Sequence, residues 1–203
     1  MVNKKMEERK FELDIRQWLD LSKGGKAKEA KDFYYENLFD TVIERFEKNN
    51  QQVISGSSVD VLISILGFSP EPIVLGAKLL NPKIHIIIHD ACVSLNEENN
   101  RIIGKYLTDY HFVELQDETF SCIYDTLKEQ LSIHPAQHCV INITGGKKSM
   151  SASAGIFARD FFCDLIYVDY SKYDPSTRRP EPGSEFLNLV YSPYRDLPEL
   201  FHK

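Results

Sequence analysis

Apolar residues fall along this chain in two rhythms. Over roughly the first fifty positions they return every three or four residues. Phe11, Ile15, Trp18 and Leu19 lead to a stop at Ser22-Lys23-Gly24-Gly25, and Ala30, Phe33, Tyr34, Leu38, Phe39, Val42 and Phe46 follow between residues 27 and 48. That period puts each set on one helical face, which predicts a helical hairpin whose aromatic stripe is buried core. Beyond the polar stretch 49–58 the helical period gives way to short, nearly unbroken apolar runs at 59–66, 83–89, 111–115, 138–143, 165–170 and 185–190. A run apolar on both faces marks a strand covered on both sides. Helical patterns lie between the runs, to residue 80 and then at 96–110, 118–133 and 148–162. This alternation predicts right-handed βαβ units and a doubly wound, mainly parallel sheet. Ser69 followed by Pro70 predicts an N-cap with proline at the first helical position. The segment 173–183, with three prolines and Arg178-Arg179, is expected to be a loop. The chain therefore divides into a helical hairpin, 1–50, and an α/β domain, 51–203, and the tail after residue 190 is too short for a further domain.

Composition narrows the function classes. With 30 acidic and 24 basic side chains, the net charge is −6, so general attraction to a long nucleic acid is not expected and any anion site must be local. No apolar run reaches membrane-spanning length, and the charged start is unlike a signal peptide. Cys92, Cys122, Cys139 and Cys163 form no CxxC pair, which points to reduced core fillers in a cytoplasmic protein. The six histidines lack metal-ligand spacing and read as structural. Asp160, Asp164 and Asp169 read as helix-end, turn and rim residues, so no metal and no cofactor are expected.

The chemistry concentrates where one apolar run ends. Residues 140–155 pass from a strand into Thr144, then Gly145-Gly146, then Lys147-Lys148, then small residues at helical spacing. Glycines let a backbone approach a ligand closely. A helix start behind them offers unpaired N–H groups and a positive dipole end to an anion. In an open parallel sheet, ligands bind beyond the carboxyl ends of the strands, at the switch point. Gly67–Ser69, His89-Asp90, Thr144–Lys148 and Tyr170–Lys172 all follow strands and should share that rim. The Ser69 and Thr144 hydroxyls, the Gly145 and Gly146 N–H groups and the two lysines then make a phosphate-binding set, with a phosphate-bearing nucleotide as the expected ligand. The alternative is that the glycines only turn the chain and the lysines are a solvated helix start. Neither GxxxxGK[ST] nor GxGxxG is present, which argues against a P-loop and a dinucleotide cofactor.

Asn142-Ile143-Thr144-Gly145-Gly146-Lys147-Lys148-Ser149-Met150 closely resembles the N-x-T-G-G-T-K-x-M signature of CARF domains, the CRISPR-associated Rossmann-fold sensors of type III CRISPR systems. Gly67-Phe68-Ser69-Pro70-Glu71-Pro72 is similar to their first-strand loop. Val168-Asp169-Tyr170, Tyr173-Asp174-Pro175, Arg178-Arg179-Pro180 and Pro182-Gly183-Ser184-Glu185 resemble the end of that domain in CARF–HEPN ribonucleases, and Gly24-Gly25 with Phe33-Tyr34-Tyr35 resembles its lead-in. The resemblance spans essentially the whole chain. It implies a Rossmann-like doubly wound, mainly parallel α/β sheet with an N-terminal helical hairpin. It also implies a homodimer holding one cyclic oligoadenylate (cA4 or cA6) across its two-fold axis in antiviral signalling. Gly67, Phe68, Ser69, Asn142, Thr144, Gly145, Gly146, Lys147 and Lys148 would then bind the ligand, and Met150 would pack behind the turn. Lys147 departs from the pattern, replacing a threonine with a charge.

In such effectors a HEPN ribonuclease domain follows this sensor, and these 203 residues end where it would begin. Arg195 and His202 have the spacing of its R-x4–6-H pair, but Pro198 interrupts any helix that could join them, so RNA cleavage by this pair is not expected. Three functions stay open at this point. The chain could bind the ring without cutting RNA, standing alone or acting with a separate effector chain. It could be a metal-independent ring nuclease using a ribose 2′-OH, with Lys148, Ser69 and Thr144 as the catalytic candidates. It could also be an unrelated Rossmann-like domain that binds small nucleotides.

Overall fold

The computed structural model describes residues 2–53, 58–90 and 96–196. Its strands are β1 (Val61–Ile65), β2 (Ile84–His89), β3 (His111–Glu114), β4 (Cys139–Asn142), β5 (Asp164–Tyr170) and β6 (Glu185–Tyr191). They form one sheet in the order β3-β2-β1-β4-β5-β6. The pairs β1–β2, β2–β3, β1–β4 and β4–β5 are parallel, as the βαβ pattern predicts. Strand order reverses between β1 and β4, with Ser64 level with Asn142 at their ends. The crevice above that pair is therefore the switch point of the sheet.

Helices cover both faces. Glu71–Leu80 (α4) and Glu97–Tyr106 (α5) lie on one side, where Leu66, Ile73, Ile87 and Ile103 form a core. Phe120–Ile133 (α6) and Lys148–Asp160 (α7) lie on the other, packing Ile123, Leu127, Met150, Ala154 and Phe157 against Val61, Ile63 and Ile65. The two sides account for the unbroken apolar runs: β1 is buried along its whole length. Cys139 and Cys163 are buried and free, and Cys122 is free and half-buried. A hydrogen bond with the neighbouring Cys163, together with burial, pushes the Cys139 thiol well up, away from reactivity. Cys92 lies outside the described residues.

Contacts divide the chain into two units, 1–50 with 169–186 and 51–168 with 187–203. The first holds Val2–Lys23 (α1), Ala27–Phe33 (α2) and Phe39–Asn50 (α3), with a five-residue π-helical turn, Tyr34–Leu38, between the last two. That turn corrects the predicted face. A regular period puts Tyr34 inside, but the wider turn brings Tyr35 in, and Tyr34 stays half-buried. The stretch 171–184 is a hairpin with a Tyr173–Pro180 bridge. It packs on these helices through a Lys23–Asp174 ion pair at 3.1 Å and a bond from Arg179 to the Ser22 hydroxyl.

Two other local expectations shift. Pro70, not Ser69, is the N-cap of α4: its carbonyl accepts from Ile73 and Val74 N–H, and Pro72 occupies the first turn. The tail contains a short helix, Pro193–Asp196 (α8), where Arg195 pairs with Asp196 at 2.7 Å and donates to the Leu189 carbonyl. Pro198 and His202, and with them the R-x4–6-H spacing, lie outside the described residues.

Candidate functional site

The turn after β4 is braced from beneath. Asn142 is 1% exposed, so its amide must find partners inside the protein. Its Nδ2 donates to the Pro72 carbonyl at 3.0 Å, and its Oδ1 accepts from Thr144 N–H at 3.1 Å and the Thr144 hydroxyl at 2.6 Å. That hydroxyl accepts in turn from Val168 N–H at 2.8 Å. One amide and one hydroxyl thus tie α4, β4 and β5 together under the turn. Gly76 makes room for the amide, since a Cβ there would lie 2.9 Å from Nδ2.

Above the brace, two loops touch backbone to backbone. A Cβ on Gly145 would sit 2.3 Å from the Ile65 carbonyl oxygen and 2.5 Å from Gly67 N. A Cβ on Gly67 would sit 2.7 Å from Gly146 N. Gly146 adopts φ +78°, the left-handed turn that aims the chain into α7. The glycines are therefore where the β1 and β4 loops close on each other, which is more than a change of direction requires.

A pocket of about 260 Å³ opens at this junction, lined by Leu66, Gly67, Phe68, Ser69, Pro72, Asp90, Thr144, Gly145, Gly146 and Lys147. Phe68 is 81% exposed, and its carbonyl accepts from the Asn99 amide at 3.3 Å, which fixes the loop to α5. With Pro70 serving as the cap, the Ser69 side chain is exposed and makes no hydrogen bond to the described residues. Lys147 is the N-cap of α7, and its ammonium pairs with both oxygens of Glu118. Lys148 opens α7, is exposed, and has no ion-pair or hydrogen-bond partner among the described residues.

Of the predicted ligand residues, Gly67, Phe68, Ser69, Thr144, Gly145, Gly146 and Lys147 share this wall. Asn142 lies buried outside it, and Lys148, next in the chain to Lys147, is not among the lining residues. The only proton of the Thr144 hydroxyl is committed to Asn142. Sequence reasoning put Asp90 on the rim without giving it a role, and it missed Leu66 and Pro72 as lining and Glu118 as a lysine partner. Position after β2 was the available signal for Asp90; no local pattern marks Glu118. Tyr170–Lys172 belong to the other unit.

Three of the histidines take structural places. His89 is 5% exposed and donates through Nδ1 to the Asp90 carbonyl. Buried His85 bonds the Ser64 hydroxyl at 2.9 Å, and desolvation lowers its pKa to about 4. His138 bonds the Asp164 carboxylate at 2.9 Å, which raises its pKa. Among the described residues, no three His, Cys, Asp or Glu side chains gather as a metal site. Nor is any described helix long and apolar enough to cross a membrane.

The arrangement can present N–H groups, a free hydroxyl and a free ammonium to an anion beside an exposed aromatic ring. No protein-family model matches the chain. In an alignment 149 residues long that covers 69% of this chain, it is 30% identical to the CRISPR system endoribonuclease Csm6 of Thermus thermophilus. The chain carries a CARF domain. It spans about a third of the length of that relative, 31%. The CARF fold is similar to three solved structures. Can2 of Sulfobacillus thermosulfidooxidans, in complex with cyclic tetra-adenylate, is 20% identical with a TM-score of 0.45, over 54% of this chain and 32% of that one. Enterococcus italicus Csm6, bound to cyclic hexa-2′-fluoro-hexa-dAMP, is 13% identical with a TM-score of 0.46, over 58% and 35%. Protein VC1899 of Vibrio cholerae is 16% identical with a TM-score of 0.45, over 56% and 31%.

Proposed function

We propose that this CARF domain binds cyclic oligoadenylate, with the ring shared by two copies of the chain. The observation that carries the reading is the closed junction of the β1 and β4 loops. It sets Gly145 and Gly146, the Ser69 hydroxyl and exposed Phe68 around one pocket, and Lys148, next in the chain to the lining residue Lys147, has no ion-pair or hydrogen-bond partner among the described residues. The backbone N–H groups and the lysine suit a phosphodiester, and the ring of Phe68 suits a base face. At about 260 Å³ the pocket is smaller than the roughly 300–1,000 Å³ usual for small-molecule sites. One copy's pocket is therefore too small for a whole ring of four or six nucleotides, which supports a ligand shared between two copies that present the same patch about a two-fold axis.

Native mass spectrometry of the chain with cyclic tetra- and hexa-adenylate, against linear oligoadenylate, tests this directly. One ring per two chains is expected, and failure to retain any ring refutes it. Calorimetry should find binding about 10- to 150-fold weaker in Lys148→Ala, the cost of losing a charged hydrogen bond. Unchanged affinity would remove Lys148 from the site. A ring-nuclease activity is the second reading, favoured by the availability of Ser69 and Lys148 to position and stabilise a 2′-OH attack. Of its three candidate residues, Thr144 is better suited to holding the turn than to catalysis, because Asn142 takes its proton. Labelled rings that emerge intact after long incubation would exclude it.

A further inference from the structure

Glu118 is a carboxylate bound to the cationic end of the pocket, and ring binding gives it no role. It lies outside the pocket wall, in the turn between β3 and α6, yet both its oxygens meet the Lys147 ammonium. The turn that presents it is stiff. Asp117 Oδ1 accepts from Thr119 N–H at 2.8 Å and from the Thr119 hydroxyl at 2.5 Å, and Thr119 caps α6 by accepting from Cys122 N–H. The backbone of Lys147 is equally fixed, its carbonyl accepting from Met150 and Ser151 N–H at the start of α7. Between two fixed backbones, only the side chains can exchange partners. Lys147 is 56% and Glu118 35% exposed at the side chain, so water already competes for the pair and its net strength is small.

We infer that Glu118 is an affinity-setting residue: an internal anion that holds the Lys147 ammonium against the ligand phosphate. The inference rests on the ring-binding reading for the identity of that ligand. Carboxylate and phosphate offer an ammonium the same kind of charge-assisted bond, so each gains what the other gives up. Ligand binding then frees Glu118 and loosens the tie between the pocket and the start of α6. Because an exposed ion pair is worth no more than about a fivefold change in an equilibrium, Glu118 tempers affinity without abolishing it.

Calorimetric titration of the full chain with cyclic tetra- and hexa-adenylate should find Glu118→Gln about two- to fivefold tighter than wild type. The same change in a Lys147→Met background should have no effect. Equal or weaker binding by Glu118→Gln overturns the inference, whether its melting temperature is unchanged or lowered; a lowered one marks Glu118 as a structural tie. Tightening that persists without Lys147 also overturns it, since the effect would then be long-range charge. If the wild type binds neither ring, the ring-binding reading falls and takes this inference with it. If the wild type binds and Glu118→Gln does not tighten, only the role of Glu118 falls.

Discussion

At Gly145 the β4 loop comes so close to Ile65 and Gly67 that a hydrogen is the largest substituent that fits. The contacts are backbone atoms, which cannot rotate away as a flexible side chain could. Gly145→Ala should therefore push the two loops apart and cost about 3 kcal/mol, the upper range for overpacking. For a chain of this size that is a fall of roughly 6–12 °C in Tm, to be checked by calorimetric melting. An unchanged Tm would mean that the loops are not in contact. Asn142 illustrates the converse case, a polar side chain used where nothing outside can reach it. Its signature position suggested ligand contact, yet at 1% exposure its donors and acceptors serve Pro72 and Thr144.

At the scale of elements, the π-helical turn and the 171–184 hairpin shape the first unit. The π turn lets Tyr34, Tyr35 and Phe39 pack ring to ring, with centroids 5.4–5.6 Å apart. The hairpin is organised by one carboxylate. Asp174 Oδ1 accepts from Ser176 and Thr177, from both N–H groups and both hydroxyls, while Oδ2 meets Lys23. Those donors, the Ser176 hydroxyl first, hold its carboxyl well below the usual carboxylate range. Asp174→Ala should leave the turn donors without their acceptor, and hydrogen exchange at 174–180 should quicken while β1 and β4 keep wild-type protection. Equal exchange rates would deny Asp174 this role. Because its pKa is depressed when folded, this contribution persists through neutral pH and fades only in strong acid, as pH falls through the folded value.

For the whole molecule, two histidines bend the pH profile of stability in opposite senses. His85 is buried neutral, with its pKa lowered from 6.5 to about 4 by desolvation. The unfolded chain binds the proton more readily, so stability is complete above about 6.5 and is lost as pH falls toward 4, by at most about 3 kcal/mol. His138 is raised by its bond to Asp164. Its contribution is complete below about 6.5 and is lost as pH rises through the folded value. Urea midpoints measured from pH 4 to 8 should therefore peak near 6.5. His85→Gln should flatten the acid limb and leave the alkaline limb in place. An acid limb unchanged in that variant would show that His85 is not its source.

Most of this architecture follows from short-range patterns. Near-continuous apolar runs require cover on both faces, so the parallel strands were legible to within a residue or two, and so was the Gly145-Gly146 turn at the end of one of them. The sequence alone also placed Ser69, Thr144 and Asp90 on a common rim, because each follows a strand and parallel strands end on the same side. What it could not decide were relations between distant residues. The one-residue shift from Tyr34 to Tyr35 depends on a π turn stabilised by rings from other turns. The freeing of Ser69 depends on Pro70 taking the cap. The hold of Glu118 on Lys147 joins residues 29 positions apart, across the start of two helices. Periodicity reports which face of an element is buried; only tertiary packing decides which atom meets which, because those contacts are made between elements and leave no spacing of their own in the chain.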